Sequence, residues 1–254
     1  MAGLVEGKIA IITGCGAGLG RGLGRALARE GAIVCGMARR EDKIMSAGEE
    51  FKAISGDTFV MVGDVGKRED CKKLVDEVTK KFGTVDILLN NAMSMRYNGV
   101  ADTTDEDLEI MMSSAPYGSL YMMQYCFPFM KAQRSGKVVN FGSEQDRSAA
   151  VGTTAYAMAK AACLGLTRSA AAEWAQYNIQ VNAICPTAVS ESWEKHVANS
   201  SPEDIEKTLA MFPMGHLGDP DTEIAGTILF LSSYLSDYFT ARTIFVDGGF
   251  AVAK

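Results

Sequence analysis

Seven short apolar runs alternate with helical patterns along almost the whole chain, and this alternation limits the fold more than any other feature. The runs are rich in β-branched residues, while apolar residues in the segments between them recur at helical spacing. Strands that alternate with helices form a parallel sheet that helices cover on both faces. We therefore expect a doubly wound α/β fold with seven parallel strands. The runs begin at Lys8, Ala32, Thr58, Val85, Gly136, Ile179 and Arg242.

The pattern predicts one domain over residues 1–254, because no low-complexity linker or internal repeat interrupts it. The longest interruption, at about 187–220, lies between the sixth run and the last helical pattern. Asp219 followed by Pro220 is typical of a helix N-cap and first helical position. Ligands bind and lids move at the carboxyl edge of a parallel sheet, so we expect this insertion to form a substrate loop.

Charge and cysteine usage argue against several classes of protein. The chain has 25 basic and 31 acidic residues, and this acidic balance is unlike a general nucleic-acid-binding surface. No apolar run approaches the roughly eighteen residues that a membrane helix needs. The N-terminus also lacks the features of a signal peptide, so a cytoplasmic protein is expected. The six cysteines are scattered without a C-x-x-C pair, which favours buried thiols over a metal site.

A glycine-rich turn, TGCGAGLGRG, follows the first predicted strand and opens a helix. Gly14, Gly18 and Gly20 occupy this turn, with Leu19 between the last two. Glycines at this place let the backbone approach a pyrophosphate and point helix amides at it. The alternative is a tight turn that holds no ligand, but the strand–turn–helix context favours a dinucleotide site.

Several motifs along the chain match one family. The spacing T-G-x-x-x-G-x-G begins at Thr13, and the later motifs are Asp64, NNA at 90–92, Ser143, YAMAK at 156–160, Asn182, Pro186 and VDGG at 246–249. Together they resemble the short-chain dehydrogenase/reductase family over the whole chain. The resemblance implies a single Rossmann-type domain, and it implies a dinucleotide held by Gly14, Gly18, Leu19, Gly20, Asp64, Val65, Asn91, Tyr156, Lys160 and Pro186.

The end of the second predicted strand indicates which dinucleotide is bound. Users of NAD(H) place an acidic residue there for the ribose hydroxyl, whereas an arginine nearby accommodates the 2′-phosphate of NADP(H). Here Ala38 stands in the acidic position, and Arg39 and Arg40 follow it. Guanidinium groups pair with phosphate through two hydrogen bonds, so we favour NADP(H) over NAD(H). The alternative is two solvated arginines.

Ser143, Tyr156 and Lys160 are the predicted catalytic residues. Tyr156 and Lys160 are four residues apart and share a helix face. A neighbouring ammonium and a positively charged nicotinamide both favour a phenolate, so we expect a lowered Tyr156 pKa. Tyr156 would exchange a proton with an alcohol or ketone oxygen that Ser143 holds, and Lys160 would also bind the nicotinamide ribose. Structural coincidence is the alternative for any isolated Tyr-x-x-x-Lys pair.

The helical segment around Pro116 departs from the family, whose asparagine at this place supports a helix kink and a relay water. Here the position is Ala115, with Pro116 beside it. Pro116 should leave the Met112 carbonyl without its helical partner. Our hypothesis is that this carbonyl, Ser113 or Ser114 holds the water, and a kink that serves only packing is the alternative. In two further departures, Met93 replaces a glycine and Glu191 a threonine.

Residues at the chemical end predict a bulky apolar substrate. Methionines and aromatic residues around one site form an adaptable apolar wall. The segment AAAEWAQYNIQVNAICPTA, with FPMGHLGDP, resembles more loosely a branch that includes bacterial 12α-type hydroxysteroid dehydrogenases. A hydroxysteroid or bile acid is the first expectation; a smaller ketone, or a dinucleotide-binding sensor with little catalysis, is the alternative. By resemblance we expect a homotetramer. The predicted lining is Met93, Met95, Tyr97, Glu144, Gln145, Trp193, Met211, Phe212 and Met214.

Overall fold

The seven predicted strands form one parallel sheet in a computed structural model that describes residues 2–145 and 150–251. The order β3-β2-β1-β4-β5-β6-β7 runs outward from β1 and then restarts at β4, which creates a switch point between these two strands. The predicted doubly wound sheet is confirmed. The strands are β1 (Ile9–Thr13), β2 (Ile33–Ala38), β3 (Thr58–Val62), β4 (Ile87–Asn90), β5 (Gly136–Phe141), β6 (Ile179–Pro186) and β7 (Thr243–Val246).

Helices connect the strands within the described ranges. Two of them, which begin at Glu191 and Pro202, lie inside the predicted substrate loop. The α-helices are α1 (Gly18–Arg29), α2 (Glu41–Ser55), α3 (Arg68–Phe82), α4 (Asp105–Met112), α5 (Gly118–Gln133), α6 (Thr154–Trp174), α7 (Glu191–Asn199), α8 (Pro202–Leu209) and α9 (Ala225–Ser232). None of the helices that the structure describes is long and apolar enough to cross a membrane.

The sheet is buried on both faces, which explains why its strands read as continuous apolar runs. Successive side chains of a strand point to opposite faces. In β1, Ala10 and Ile12 pack in the layer beneath α1, α2 and α9, whereas Ile9 and Ile11 pack in the layer beneath α3, α5 and α6. All five residues of β1 are therefore buried. This central strand fixes where the glycine-rich turn begins.

A π-helical turn at Ser113–Tyr117 interrupts the helix that contains Pro116. Its hydrogen bonds span five residues, and the Gly118 amide donates to the Ser113 carbonyl. In this register the Tyr117 amide faces the Met112 carbonyl. The prediction that this carbonyl is unpaired is therefore wrong. Pro116 has no amide hydrogen to donate, and the hydrogen bonds of the wider turn do not use this residue as a donor. Ala115 and Pro116 are both buried.

The last helix begins as predicted. The Asp219 carboxylate accepts hydrogen bonds from the amides of Asp221 and Thr222, at 3.0 and 2.9 Å. Pro220 follows it, but the first turn, Pro220–Ile224, is π-helical and precedes α9. Arg25 of α1 pairs with Asp221 through its guanidinium, which holds the pKa of that carboxyl below its usual value. This ion pair fixes the end of the substrate loop to the first helix.

All six cysteines are buried as thiols, which confirms that expectation. Burial raises the pKa of Cys15, Cys35 and Cys71 to about 12 and that of Cys126 still further. Thiols that stay protonated are poor nucleophiles and poor metal ligands. The cysteines therefore act as small apolar residues of the core.

Candidate active site

A cleft of about 290 Å³ opens at the carboxyl edge of the sheet, beside the switch point between β1 and β4. Ligands of doubly wound sheets bind at this place. Seven of the residues predicted from the sequence line the cleft, together with Glu191. The seven are Gly14, Arg39, Arg40, Asp64, Val65, Asn91 and Met93.

The glycine-rich turn packs so closely that side chains would not fit in it. A Cβ atom on Gly20 would lie 2.5 Å from the Gly14 carbonyl oxygen, and one on Gly14 would lie 2.9 Å from the Cα of Ala92. The Asn91 amide group donates to the carbonyl of Thr13 at 2.9 Å, which ties the turn to the loop after β4.

The first turn of α1 is open to an anion. Gly18 begins the helix, and Ala17 at the N-cap has no side chain that could accept from its amides. The first turn also contains no acidic residue. Unpaired amides and the positive end of the helix dipole favour a phosphate. These residues fit a pyrophosphate group. The predicted Leu19 and Gly20 belong to the same turn.

Three cations surround the cleft at the end of β2. Arg39, Arg40 and Lys43 all line it, while Ala38 leaves the usual acidic position without a carboxylate. Arg40 donates to both oxygens of Glu191, at 2.9 and 2.6 Å, and its charge holds the Glu191 pKa below its usual value. Sequence reasoning missed Lys43, although its position four residues after Arg39, in the first turn of α2, was a signal.

Asp64 and Val65, predicted to hold the dinucleotide, lie after β3 and line the cleft. The Asp64 carboxylate accepts a hydrogen bond from the Gly66 amide at 2.9 Å. The backbone amide of Asp64 donates to the Asp70 carboxylate at 2.9 Å. Val65 packs tightly on Gly118. A Cβ atom added to Gly118 would lie only 2.9 Å from the Cβ atom of Val65. The loop is therefore held in one conformation beside the cleft.

Tyr156, Ser143 and Lys160 lie close together. Ser143 follows β5 and is buried, and its hydroxyl donates to the Glu144 carboxylate at 2.9 Å. Lys160 is buried one helical turn beyond Tyr156 and donates to the Phe141 carbonyl at 2.9 Å. Its ammonium lies 5.8 Å from the centre of the Tyr156 ring. Tyr156 and Lys160 thus lie together on helix α6, and Ser143 lies at the end of strand β5. Pro186, also predicted to bind the dinucleotide, ends the neighbouring strand β6.

The Tyr156 pKa differs from the expectation. Burial of the phenol raises its pKa to about 12, although the Ser143 hydroxyl works in the opposite direction. The Glu144 carboxylate adds a further increase through its negative charge. Burial also lowers the pKa of Lys160. In the protein alone the phenol is therefore protonated, and a lowered pKa requires charge that these residues do not supply.

Ser114 ties the π-helical turn to the loop after β4. Its hydroxyl donates to the Ile110 carbonyl at 2.7 Å and accepts from the Ser94 amide at 3.0 Å. The Ser113 hydroxyl donates to the same carbonyl at 3.3 Å. Both serines thus give their hydrogen to their own helix. Sequence reasoning missed Ser94, because a bond from a backbone amide leaves no signal in the sequence.

The geometry can be compared with that of known proteins. A family model described as enoyl-(acyl carrier protein) reductase matches residues 14–251. This span includes the glycine-rich turn, Ser143, Tyr156 and Lys160. The chain belongs to the short-chain dehydrogenase/reductase family. It is accordingly an oxidoreductase of the family that binds nicotinamide dinucleotides and acts on alcohols and ketones.

Relatives of this dehydrogenase/reductase have different substrates. A 12α-hydroxysteroid dehydrogenase of Clostridium sp. is 35% identical over 97% of this chain and 98% of its own. A 3-oxoacyl-(acyl-carrier-protein) reductase FabG of Thermotoga maritima is 33% identical over 98% and 99%. A gluconate 5-dehydrogenase of Burkholderia cenocepacia, solved with NADP and tartrate, has a TM-score of 0.89, 30% identity and coverage of 98% and 97%. A xylitol dehydrogenase solved with NAD+ has a TM-score of 0.89, 27% identity and coverage of 96% and 99%.

The predicted substrate wall of this dehydrogenase/reductase is only partly assembled. Tyr97 is 55% exposed, and its ring centre lies 6.1 Å from that of Tyr156. Met93 packs with Tyr156 against the π-helical turn. Phe212 is buried and stacks on Phe250 at 4.7 Å, as a packing residue does. Three predicted members, Met95, Met211 and Met214, are exposed. Trp193 contacts His196.

Proposed function

We propose that this protein is an NADP(H)-dependent oxidoreductase that interconverts a secondary alcohol and a ketone, with a bulky apolar substrate such as a hydroxysteroid. The observation that carries the proposal is the Lys160 ammonium 5.8 Å from the centre of the Tyr156 ring on α6, with the buried Ser143 at the end of β5. These groups lie at the same edge of the sheet as a cleft that fits a dinucleotide. A phenol, a hydroxyl and an ammonium in this arrangement support acid–base chemistry on a single oxygen.

Tyr156 is the proposed acid and base. When bound, the nicotinamide dinucleotide carries the hydride that leaves or reaches the reacting carbon. Tyr156 takes the hydroxyl proton of an alcohol or gives a proton to a ketone oxygen, and Ser143 lies beside that oxygen. Lys160 would hold the nicotinamide ribose, and its charge would favour the phenolate. Gly14, Gly18 and Gly20 would hold the pyrophosphate.

Three cations support NADP(H) over NAD(H). Arg39, Arg40 and Lys43 surround the part of the cleft where Ala38 takes the acidic position of NAD(H) users. Glu191 offers a carboxylate to them, and it is already paired with Arg40. A 2′-phosphate would supply a negatively charged partner for the cations that are not paired with Glu191.

The substrate proposal rests on an apolar surface and on one relative. Met93 and Tyr97 lie next to Tyr156, and both can contact a flat hydrocarbon skeleton. The 12α-hydroxysteroid dehydrogenase relative acts on a substrate of this kind, which supports a hydroxysteroid or bile acid. The FabG relative favours a reductase of a smaller ketone as the second candidate. A dinucleotide-binding sensor is the third, but the intact Ser143–Tyr156 pair opposes it.

Nicotinamide absorbance during turnover tests the proposal. Hydroxysteroids, small secondary alcohols and a 3-oxoacyl thioester would each be assayed with both dinucleotides in the appropriate redox state. Fastest turnover of a hydroxysteroid with NADP+ supports the proposal in full. Preference for the thioester or a small ketone would replace the substrate class. Tight dinucleotide binding without turnover of any compound would favour the sensor.

Replacing Glu191 with glutamine is expected to strengthen NADP+ binding by up to about fivefold, because exposed ion pairs contribute about 0.2–1 kcal/mol. The substitution frees Arg40 for the 2′-phosphate, whereas NAD+ has no group that would use it. Fluorescence titration would measure both affinities. Glu194→Gln, an exposed change on the same helix, serves as the control. Equal strengthening for NAD+ and NADP+ would contradict the proposed role of Arg40.

The assembly and location of the protein remain predictions. We infer a homotetramer in which the helices that carry Pro116 and Tyr156 meet their counterparts. The terminal segment 250–254 would also take part by the same resemblance, and residues 252–254 of it lie outside the described residues. The cytoplasm remains the predicted location. Sedimentation analysis of the purified protein would test the assembly.

A further inference from the structure

An ion pair joins the first half of the predicted substrate loop to the rest of the protein. The segment 190–211 contains α7 and α8, and every residue in it whose burial is described is at least partly exposed. Among the hydrogen bonds described for this segment, those between Arg40 and Glu191 are the ones that reach beyond the loop itself. The others stay within 190–212, as the Ser190 and Ser201 caps do. In the described part of the chain, this pair is therefore the polar contact that fixes α7.

The two ends of the loop are fixed without this pair. The Gly218 amide donates to the Thr187 carbonyl at 3.0 Å, and the Val189 amide donates to the Gly218 carbonyl at 3.0 Å. These bonds hold the start and the end of the loop side by side. Loss of the ion pair would therefore release the helices between the two ends and leave the ends in place, as at a hinge.

The ion pair lies at the dinucleotide cleft. Arg40 and Glu191 both line that cleft. The Arg40 guanidinium donates from both terminal nitrogens to the two Glu191 oxygens, from Nη1 at 2.9 Å and from Nη2 at 2.6 Å. The start of α7 also lies beside the glycine-rich turn, because a Cβ atom on Gly18 would be 3.9 Å from the Glu191 amide nitrogen. The substrate loop and the proposed cofactor site therefore meet at this pair.

Glu191 occupies the groups of Arg40 with which a phosphate would pair. A carboxylate and a phosphate both bind a guanidinium through two parallel hydrogen bonds, so they compete for it. A phosphate monoester carries about 1.5 to 2 negative charges, more than a carboxylate, and it repels a carboxylate beside it. The two side chains are 53% and 41% exposed, and exposed ion pairs are weak. A phosphate that reaches Arg40 should therefore displace Glu191.

We propose that Arg40 and Glu191 form a latch that the 2′-phosphate of NADP(H) opens. Without a 2′-phosphate, Arg40 holds Glu191, and α7 stays at the cleft. When Arg40 pairs with a 2′-phosphate, Glu191 is released, and α7 and α8 leave this position. NAD(H) lacks the group and leaves the latch closed. The inference rests on the proposed use of NADP(H), and it makes Glu191 the residue that couples the choice of cofactor to the position of the substrate loop.

Trp193, two residues beyond Glu191 on α7, can report the state of the latch. It is partly exposed, and the chain contains one other tryptophan, Trp174. Trp174 stacks on Phe127 at 4.6 Å, so Trp174→Phe keeps an aromatic ring there and leaves a single tryptophan. Acrylamide quenching of Trp193 would be measured in this full-length variant with adenosine 2′,5′-bisphosphate and with AMP. We expect the bisphosphate to increase the quenching and AMP to leave it unchanged.

Substitutions on either side of the latch should open it without a ligand. In the Trp174→Phe background, Glu191→Gln and Arg40→Ala should each show the increased quenching from the start, and the bisphosphate should add nothing to it. Arg39→Ala is the matched control, because it removes a neighbouring cation of the same cleft and keeps the ion pair. Its response should persist at a higher concentration of bisphosphate. Glu194→Gln, an exposed change on α7, should behave like its parent.

Hydrogen exchange of the wild-type protein gives a second measurement that needs no substitution. Peptides from 190–211 should exchange faster with the bisphosphate than with AMP, because a released segment opens more often. Peptides from the buried strand β1 are the internal control and should exchange at the same rate with both probes.

Different results identify which idea fails. Equal affinity for the bisphosphate and AMP would overturn the proposed cofactor, and the latch with it. A preference for the bisphosphate with unchanged quenching and unchanged exchange would overturn the latch alone and would assign the 2′-phosphate to Arg39 and Lys43. Quenching that rises equally with both probes would also overturn the latch, because the release would then not require a 2′-phosphate.

Discussion

Tyr156→Phe is expected to lower kcat by roughly 100- to 10,000-fold, because this is the usual contribution of an acid–base group. The change removes one oxygen atom and keeps the ring. That ring packs against the cluster around the π-helical turn, so the fold should be retained. Initial rates with the best alcohol and NADP+ measure the effect. Affinity for NADP+, measured by fluorescence titration, should stay close to that of the wild type.

Tyr97→Phe is the matched control for this change. Its phenol lies beside the same site, with ring centres 6.1 Å apart, but the Tyr97 side chain is more exposed. We expect a far smaller loss of kcat than for Tyr156→Phe. If both variants lost activity equally, the acid–base role would not belong to Tyr156 alone. If Tyr156→Phe kept its activity, the proposed chemistry would be wrong.

Replacing both Arg39 and Arg40 with alanine is expected to weaken NADP+ binding by roughly 10- to 100-fold. A hydrogen bond to a charged group contributes about 1.5–3 kcal/mol, and a change of about 1.4 kcal/mol is tenfold in affinity. Part of this effect is lost because Arg40 must first leave Glu191. Affinity for NAD+ should change little, since its ribose has no 2′-phosphate. Titration of the variant with both dinucleotides measures the difference.

A matched control for the double variant is Arg168→Ala. Arg168 is exposed on the second half of α6, three helical turns beyond Tyr156. Its removal changes the net charge without touching the cleft, so neither affinity should change. An equal loss of NAD+ and NADP+ affinity in the double variant would indicate general electrostatic attraction. Retention of the NADP+ preference would assign the 2′-phosphate to Lys43, which the same cleft contains.

Local patterns in the sequence predicted the elements of this fold well. The seven strands lie within the apolar runs, and the Asp219 cap forms at the expected residue. Both features depend on residues close together in the chain: burial on two faces makes a strand continuously apolar, and a cap needs an acceptor next to free amides. The glycine-rich turn is similar, because a strand, a tight turn and a helix follow each other directly.

Contacts between distant segments were harder to predict. The Arg40–Glu191 pair joins residues 151 positions apart, and the sequence shows each only as one charged residue among many. The bond between Ser94 and Ser114 uses a backbone amide, which every residue except proline possesses. Pro116 indicated an interruption of its helix. A single proline is, however, compatible both with a kink that leaves a carbonyl unpaired and with a π-helical turn.

The raised Tyr156 pKa is a further property that spacing did not predict. A tyrosine and a lysine four residues apart suggested that charge would dominate, yet burial has the larger effect here. Burial depends on what packs from other elements, including the π-helical turn and the loop after β4. The sequence thus identified the chemical groups of the candidate site, whereas the tertiary structure decides how each of them titrates.

The six buried thiols make the folded protein silent to thiol-reactive dyes. They lie in both layers of the core and in the cluster beside Tyr156, so each part of the molecule contains its own reporter. A maleimide reagent can reach them only where the chain opens, and the order in which they react would map local unfolding. A single cysteine introduced at the exposed Met45, on α2, would be labelled alone, without removal of the natural six.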